Sequence, residues 1–183
     1  KAVTIMGTSI LAAGNIYTGQ FGAIDGLGAK LNWGVPFTSR PLAMKGYFDY
    51  TPKIIDKYFS DKPEMEGKTD ICQIQVLLTD WEGQFQINTQ EGTFVDIEND
   101  PNIIAYGKLE SDVTTSTKDN LVNGYEPFTI KLDYRDLTRR PTMIVIVAAA
   151  SKYGDYFTGG VGSTLYLDEF SFVYDPAELE DAQ

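Results

Sequence analysis

The segment from Ser163 to Asp175 alternates apolar and polar residues, and halfway along it the alternation changes phase. Leu165 and Leu167 fall on odd numbers, whereas Phe170, Phe172 and Tyr174 fall on even ones. Side chains of a strand have a strict period of two. Both sets can reach one face only if an extra residue is inserted between them. The segment therefore predicts a bulge or sharp bend at Asp168-Glu169. A kinked strand with acids at the kink suits the closing strand of an antiparallel β-sandwich.

The remaining strand signals are short, numerous and separated by turn residues, as sandwiches require. Leu42, Met44, Phe48 and Tyr50 share one phase, with Lys45, Tyr47 and Asp49 on the other, and Thr51-Pro52 ends the run. Cys72, Ile74, Val76 and Leu78 alternate with Gln73, Gln75, Leu77 and Thr79. The Glu82-Gly83 turn then leads to Phe85 and Ile87, which predicts a hairpin. Phe128, Ile130, Leu132 and Tyr134 read as one strand. Met143 to Ala150 is continuously apolar and reads as a central strand covered on both faces. A short helical turn is predicted over Lys53 to Ser60, and a loop over Ser111 to Asn123. With no internal repeat and no break in composition, the expected fold is all-β: a jelly-roll-like antiparallel β-sandwich, one domain over residues 1–183.

Charge and missing residue types narrow the chemistry. The net charge is −11 and the pI about 4.4, which disfavours nucleic acid and anionic membrane surfaces. No apolar run reaches membrane-spanning length, so no membrane insertion by this domain is expected. The acidic tail from Asp175 to Asp181 is expected to be solvated. The chain has no histidine, which removes Ser-His-Asp and Cys-His catalysis and His-type zinc sites. Its single cysteine, Cys72, is expected as a small core residue.

Carboxylates are then the acid/base candidates. A glycoside hydrolase needs two of them facing each other across the bond to be cleaved. Asp80, Glu82, Asp155, Asp168 and Glu169 are available, but nothing in the sequence pairs them, and no catalytic residue is assigned. Asp168 at the kink is also a candidate calcium ligand if first and last strands meet, against the plainer reading that it caps turn amides or faces water. No other cofactor is implied. Arg139-Arg140 reads as a solvated edge feature offsetting Asp133 and Asp136. The glycines at 154, 159, 160 and 162 lack the Lys-Ser/Thr of a phosphate loop. They read as a mobile connection, or as a rim loop carrying Tyr153, Asp155 and Tyr156 to a ligand. Trp33, between Asn32 and Gly34, reads as core packing or as an exposed stacking platform.

Several segments in order resemble a known family. They are Tyr17-Thr-Gly-Gln-Phe21, Trp33-Gly-Val-Pro-Phe-Thr-Ser-Arg-Pro41, Lys45-Gly-Tyr-Phe-Asp-Tyr-Thr-Pro52, Asp70-Ile-Cys-Gln-Ile-Gln-Val-Leu-Leu78 and Gly162-Ser-Thr-Leu-Tyr-Leu-Asp-Glu-Phe-Ser-Phe-Val-Tyr174. Together they resemble the putative carbohydrate metabolism domain of Bacteroides-type surface lipoproteins. The resemblance implies a jelly-roll-like sandwich in an exported protein, at the outer-membrane surface or in the periplasm. It also implies that this is the C-terminal domain of a longer, lipid-anchored chain, with surface-complex proteins as further partners. It supplies no catalytic residues.

The leading expectation is non-catalytic binding of a polysaccharide or oligosaccharide. Sugar C–H faces stack on aromatic rings, and hydroxyls pair with amide, carboxylate and guanidinium groups. The aromatics expected to serve are Trp33, Tyr47, Trp81, Tyr106, Tyr153 and Tyr156, with Asp155 beside them. The alternatives are a carboxylate-dependent glycoside hydrolase or lyase, and a structural or adaptor module in a surface complex.

Overall fold

A computed structural model of the chain describes residues 1–5, 7–56 and 62–180. In chain order its strands are β1 (Ala2–Ile5), β2 (Thr8–Leu11), β3 (Asn15–Tyr17), β4 (Gly19–Asp25) and β5 (Gly28–Trp33). Next come β6 (Val35–Pro36), β7 (Ala43–Thr51), β8 (Cys72–Thr79), β9 (Phe85–Asn88) and β10 (Ile103–Ser111). The last four are β11 (Glu126–Lys131), β12 (Asp133–Tyr134), β13 (Met143–Ala149) and β14 (Thr164–Val173). All pairings are antiparallel.

A central sheet of order β12-β10-β8-β13, with β3 and β6 sharing the far edge of β13, is covered on both faces. A three-stranded sheet, β11-β7-β14, packs on one face. Between them lies an apolar layer in which Ile74, Val76 and Ile144 meet Met44, Phe48 and Phe128. A second three-stranded sheet, β4-β5-β9, packs on the other face. There Leu77, Val145 and Val147 meet Leu31, Trp33 and Ile87. This is why Met143 to Ala150 is continuously apolar: alternate residues of β13 enter different cores.

The predicted bulge is present. Asp168 of β14 lies opposite Tyr47 of β7 and Ser171 lies opposite Lys45. Glu169 and Phe170 therefore share the single partner Gly46. Glu169 adopts φ +51°, and the Asp168 carboxylate accepts its N–H at 2.9 Å. Leu165 and Leu167 before the bulge and Phe170 and Phe172 after it pack on the same core. Phe170 meets Phe128 edge-on, with centroids 5.5 Å apart. The even phase fails only at Tyr174, which is 51% exposed, while Val173 is buried opposite Ala43.

Four further expectations are corrected. β8 and β9 form no hairpin, because both edges of β8 are filled by β10 and β13, and β9 pairs with β5. Trp81 turns the chain away: its ring enters the second core and its carbonyl accepts from the Thr142 hydroxyl at 2.7 Å. The run from Phe128 to Tyr134 is two strands, because at Leu132 the chain crosses from the outer sheet (β11 on β7) to the central one (β12 on β10). The connection from 154 to 162 is anchored rather than loose: Thr158, Gly159 and Gly160 are buried. Ile54 and Asp56 make bridges to Thr69 and Gly159 instead of helix; the rest of the predicted turn, 57–60, lies outside the described residues. Among the described residues no helix is long and apolar enough to cross a membrane.

Candidate functional site

The second core does not reach the end of the central sheet. Directly opposed residues of an antiparallel pair share a face, so two cross-strand rows continue past its last apolar member. One row is Tyr17, Val147, Gln75 and Lys108. The next is Asn15, Ala149, Gln73 and Glu110. Leu31, Trp33 and the turn at Gly154–Tyr156 close over them. The result is a narrow recess with room for about 30 Å³, the size of one water or one sugar hydroxyl.

Asp155 reaches this recess because the chain turns tightly there. A Cβ on Gly154 would lie 2.3 Å from the Cβ of Ala13, so only glycine lets the turn settle against the end of the N-terminal hairpin. Phe157 closes the turn in the left-handed region, at φ +53°. Burial pushes the Asp155 carboxyl above its ordinary range, because removal from water disfavours the ionised form. Trp33 lines the recess, and its indole N–H is buried without a hydrogen-bond partner. An unsatisfied buried donor of this kind costs about 1–3 kcal/mol.

Glu110, at the end of the second row, has both oxygens engaged. Gln73 and Lys108 donate to Oε1 at 2.8 and 3.0 Å, and Lys152 donates to Oε2 at 2.9 Å. Burial alone would raise this carboxyl, but those donors outweigh it and hold the pKa at about 2. The Tyr106 hydroxyl donates to Gln75 at 3.3 Å. Burial, helped by the charge of Glu110, pushes that phenol to about 12.

The recess adjoins a wider mouth of about 310 Å³, at the lower end of the size range of small-molecule sites. Ala13, Asn15, Tyr17, Leu31, Gly154 and Asp155 line both.

Of the residues singled out in the sequence, Asp155 and Trp33 thus meet at one place, and Tyr106 braces its floor. Trp33 is no exposed platform: it is 6% exposed and shows the recess only part of its ring. Trp81 is likewise a core residue, 8% exposed, bonded to Asp100 at 3.0 Å and packed on Phe85. Tyr153 and Tyr156 flank the turn outside the cleft. The Lys62 ammonium sits 4.5 Å from the Tyr156 ring centroid, and Lys152 lies 5.4 Å from that of Tyr153. Asp80 is paired to Arg139 at 2.8 Å, and Asp136 holds the same guanidinium at 2.9 Å. Glu82 is exposed. Asp168 is exposed on a strand that pairs only with β7, so the meeting of first and last strands invoked for calcium does not occur among the described residues. No group of three or more acidic or cysteine side chains there stands close enough to hold a metal.

Tyr47 lies elsewhere. It points away from the first core, opposite Pro127 and Asp168, and with Tyr125, Asn123 and Glu169 borders a shallow pocket of about 130 Å³. Tyr47→Ala should therefore cost less than about 1 kcal/mol and shift the melting temperature by under about 4 °C. A calorimetric drop above about 10 °C would place this ring in the core instead.

Gln73, Gln75, Asn15, Tyr17 and Lys152 were not singled out as ligand groups from the sequence. Two glutamines at i and i+2 on an otherwise apolar central strand were the available signal.

A family model described as "putative carbohydrate metabolism domain" matches residues 1–173. Two crystal structures share the fold. One is of a putative glycoside hydrolase from Bacteroides thetaiotaomicron, with TM-score 0.61 and 22% identity, covering 89% of this chain and 47% of that one. The other is of a putative glycoside hydrolase from Bacteroides vulgatus, with TM-score 0.60 and 19% identity, covering 89% of this chain and 65% of that one. The chain thus spans less than two thirds of either protein. No curated protein matches.

Proposed function

The chain belongs to the putative carbohydrate metabolism domain family, and from that premise we propose that it is a glycan-binding module whose sugar site is the cleft between the central sheet and β5. The observation that carries this reading is the lining. Tyr17 supplies an aromatic face, and Asn15, Gln73 and Gln75 supply amides. A sugar ring in the mouth that sends one hydroxyl into the recess meets all of them.

Binding is favoured over hydrolysis by the carboxylates. Asp155 is the single acid lining the cleft among the described residues. Its raised pKa suits a general acid, and the lowered one of Glu110 suits an ionised partner, which is the contrast that marks acid/base pairs. Glu110, however, has both oxygens committed to three donors. These donors take three of its roughly four lone-pair sites, and it lines neither part of the cleft. The structure neighbours' name of hydrolase belongs to proteins of which this chain spans only part. The wider setting we propose is an exported protein at the outer-membrane surface or in the periplasm, lipid-anchored in full length, handling polysaccharide or oligosaccharide.

A glycan array run with and without calcium tests the reading. Expected is a set of bound glycans whose affinity falls at least tenfold in Gln75→Ala, with no turnover of any of them. Tenfold corresponds to one well-placed hydrogen bond. Turnover lost in both Asp155→Asn and Glu110→Gln would replace binding by hydrolysis. An array with no hit would move the domain to the adaptor class. Binding that needs calcium and is lost in Asp168→Asn would assign that carboxylate to an ion.

A further inference from the structure

The two parts of the cleft differ in chemistry. The amide groups of Gln73 and Gln75 line only the recess. The far wall of the mouth is formed by Val3, Ile10, Phe21, Leu27 and Phe157. Phe21 is 61% exposed on the edge strand β4, so its ring stands over the mouth without being needed by either core. A bare sugar presents hydroxyls on every edge. Hydroxyls pressed on this wall would lose water and gain no partner, at a cost of about 1–3 kcal/mol each. The wall thus selects against a bare sugar and for one whose second edge is apolar.

We propose that the sugar taken by this cleft carries an apolar substituent, an acyl, alkyl or aryl group, which the Phe21 wall of the mouth receives while the polar edge of the ring faces Asn15, Tyr17 and the recess. This rests on the carbohydrate reading above and specifies its ligand class. The shared lining makes the two parts one site, and a mouth of about 310 Å³ has room for a ring and a short substituent.

The test uses the whole chain, labelled with nitrogen-15, and paired methyl and hexyl β-glycosides of glucose, galactose, mannose, xylose and N-acetylglucosamine. The chain has two tryptophans, hence two indole resonances, and Trp81, bonded to Asp100, is the internal control. At least one hexyl glycoside should shift the Trp33 resonance and bind at least tenfold more tightly than its methyl partner, since each buried methylene contributes about fourfold. Phe21→Ser should bring that ratio toward one. Equal affinity of methyl and hexyl glycosides would overturn the substituent and leave the sugar site standing. Hexanol binding as tightly as every hexyl glycoside, or no shift of Trp33 with any ligand, would overturn both.

Discussion

Asp70→Ala should lower the folding stability by about 4 kcal/mol, a fall in melting temperature of roughly 8–16 °C for a chain of this size. Asp70 is fully buried. Its Oδ2 accepts from the Ser151 hydroxyl at 2.6 Å and from the Gly160 N–H at 2.8 Å. Its Oδ1 accepts from the N–H of Ile71 at 2.9 Å. One side chain thus ties the start of β8 to the end of β13 and to the glycine connection before β14. Its charge also reaches Tyr50, whose phenol is pushed up first by burial and then by Asp70, and whose hydroxyl donates to Ala150 at 2.9 Å. Removing the carboxylate relieves its own desolvation, but it strands the buried Gly160 amide and the Ser151 hydroxyl. The stranded donors win because each costs about 1–3 kcal/mol. Asp70→Asn should fall between, since the amide keeps one acceptor and turns an N–H₂ group toward existing donors. Thermal melts of the three proteins decide it: a shift under 2 °C in Asp70→Ala would remove Asp70 from its anchoring role.

Asp70 also shows what a sequence conceals. It stood in a recognisable segment, before a strand whose alternation was plain, yet its partners lie 81 and 90 residues away. Local pattern was legible in the long strands. The alternation in β7 and β8, the two-faced burial of β13, and the bulge at Asp168-Glu169 follow from a side-chain period of two, which needs only neighbours in the chain. Pairing was not legible. Phe85 follows Thr79 closely enough for a hairpin, and only the occupation of both β8 edges forbids it. Nor does alternation say how many layers a protein has. Trp33 and Trp81 read as candidates for a sugar platform because a third sheet, which makes their faces interior, has no signature in any one segment.

The candidate site was half legible for the same reason. Asp155 was visible as an acid in a glycine-rich turn. Its neighbours Tyr17 and Gln75 are brought to it only by the antiparallel pairing of β3 with β13 and of β13 with β8. Polar residues on the same face as a core are costly unless they meet partners or a ligand. The run of Gln73 and Gln75 beside Leu77 was therefore a stronger pointer than any aromatic count.

Gly107→Ala tests the crossing at Leu132, which makes the two sheets one structure. Gly107 is buried in β10 beneath the point where the chain leaves β11 for β12. A Cβ there would lie 2.5 Å from the carbonyl oxygen of Lys131, 2.7 Å from Cγ2 of Ile130 and 3.1 Å from Cδ2 of Leu132. In an open strand the same change would help slightly, by about 0.5–1 kcal/mol, because glycine has the more disordered unfolded state. Here the nearest atom belongs to backbone, and the Leu132 N–H is held by the Leu42 carbonyl at 2.9 Å. The crossing strand cannot lift without separating the first core. Overpacking of this kind costs about 1–3 kcal/mol, so the clash outweighs the entropic gain, and a net loss of about 2 kcal/mol is expected, roughly 4–8 °C in melting temperature. Gly107→Val adds two methyl groups to the same gap and should abolish cooperative melting. An unchanged melting temperature in Gly107→Ala would mean that β11 does not pass over β10 at this distance, and the single-strand reading of Phe128 to Tyr134 would return.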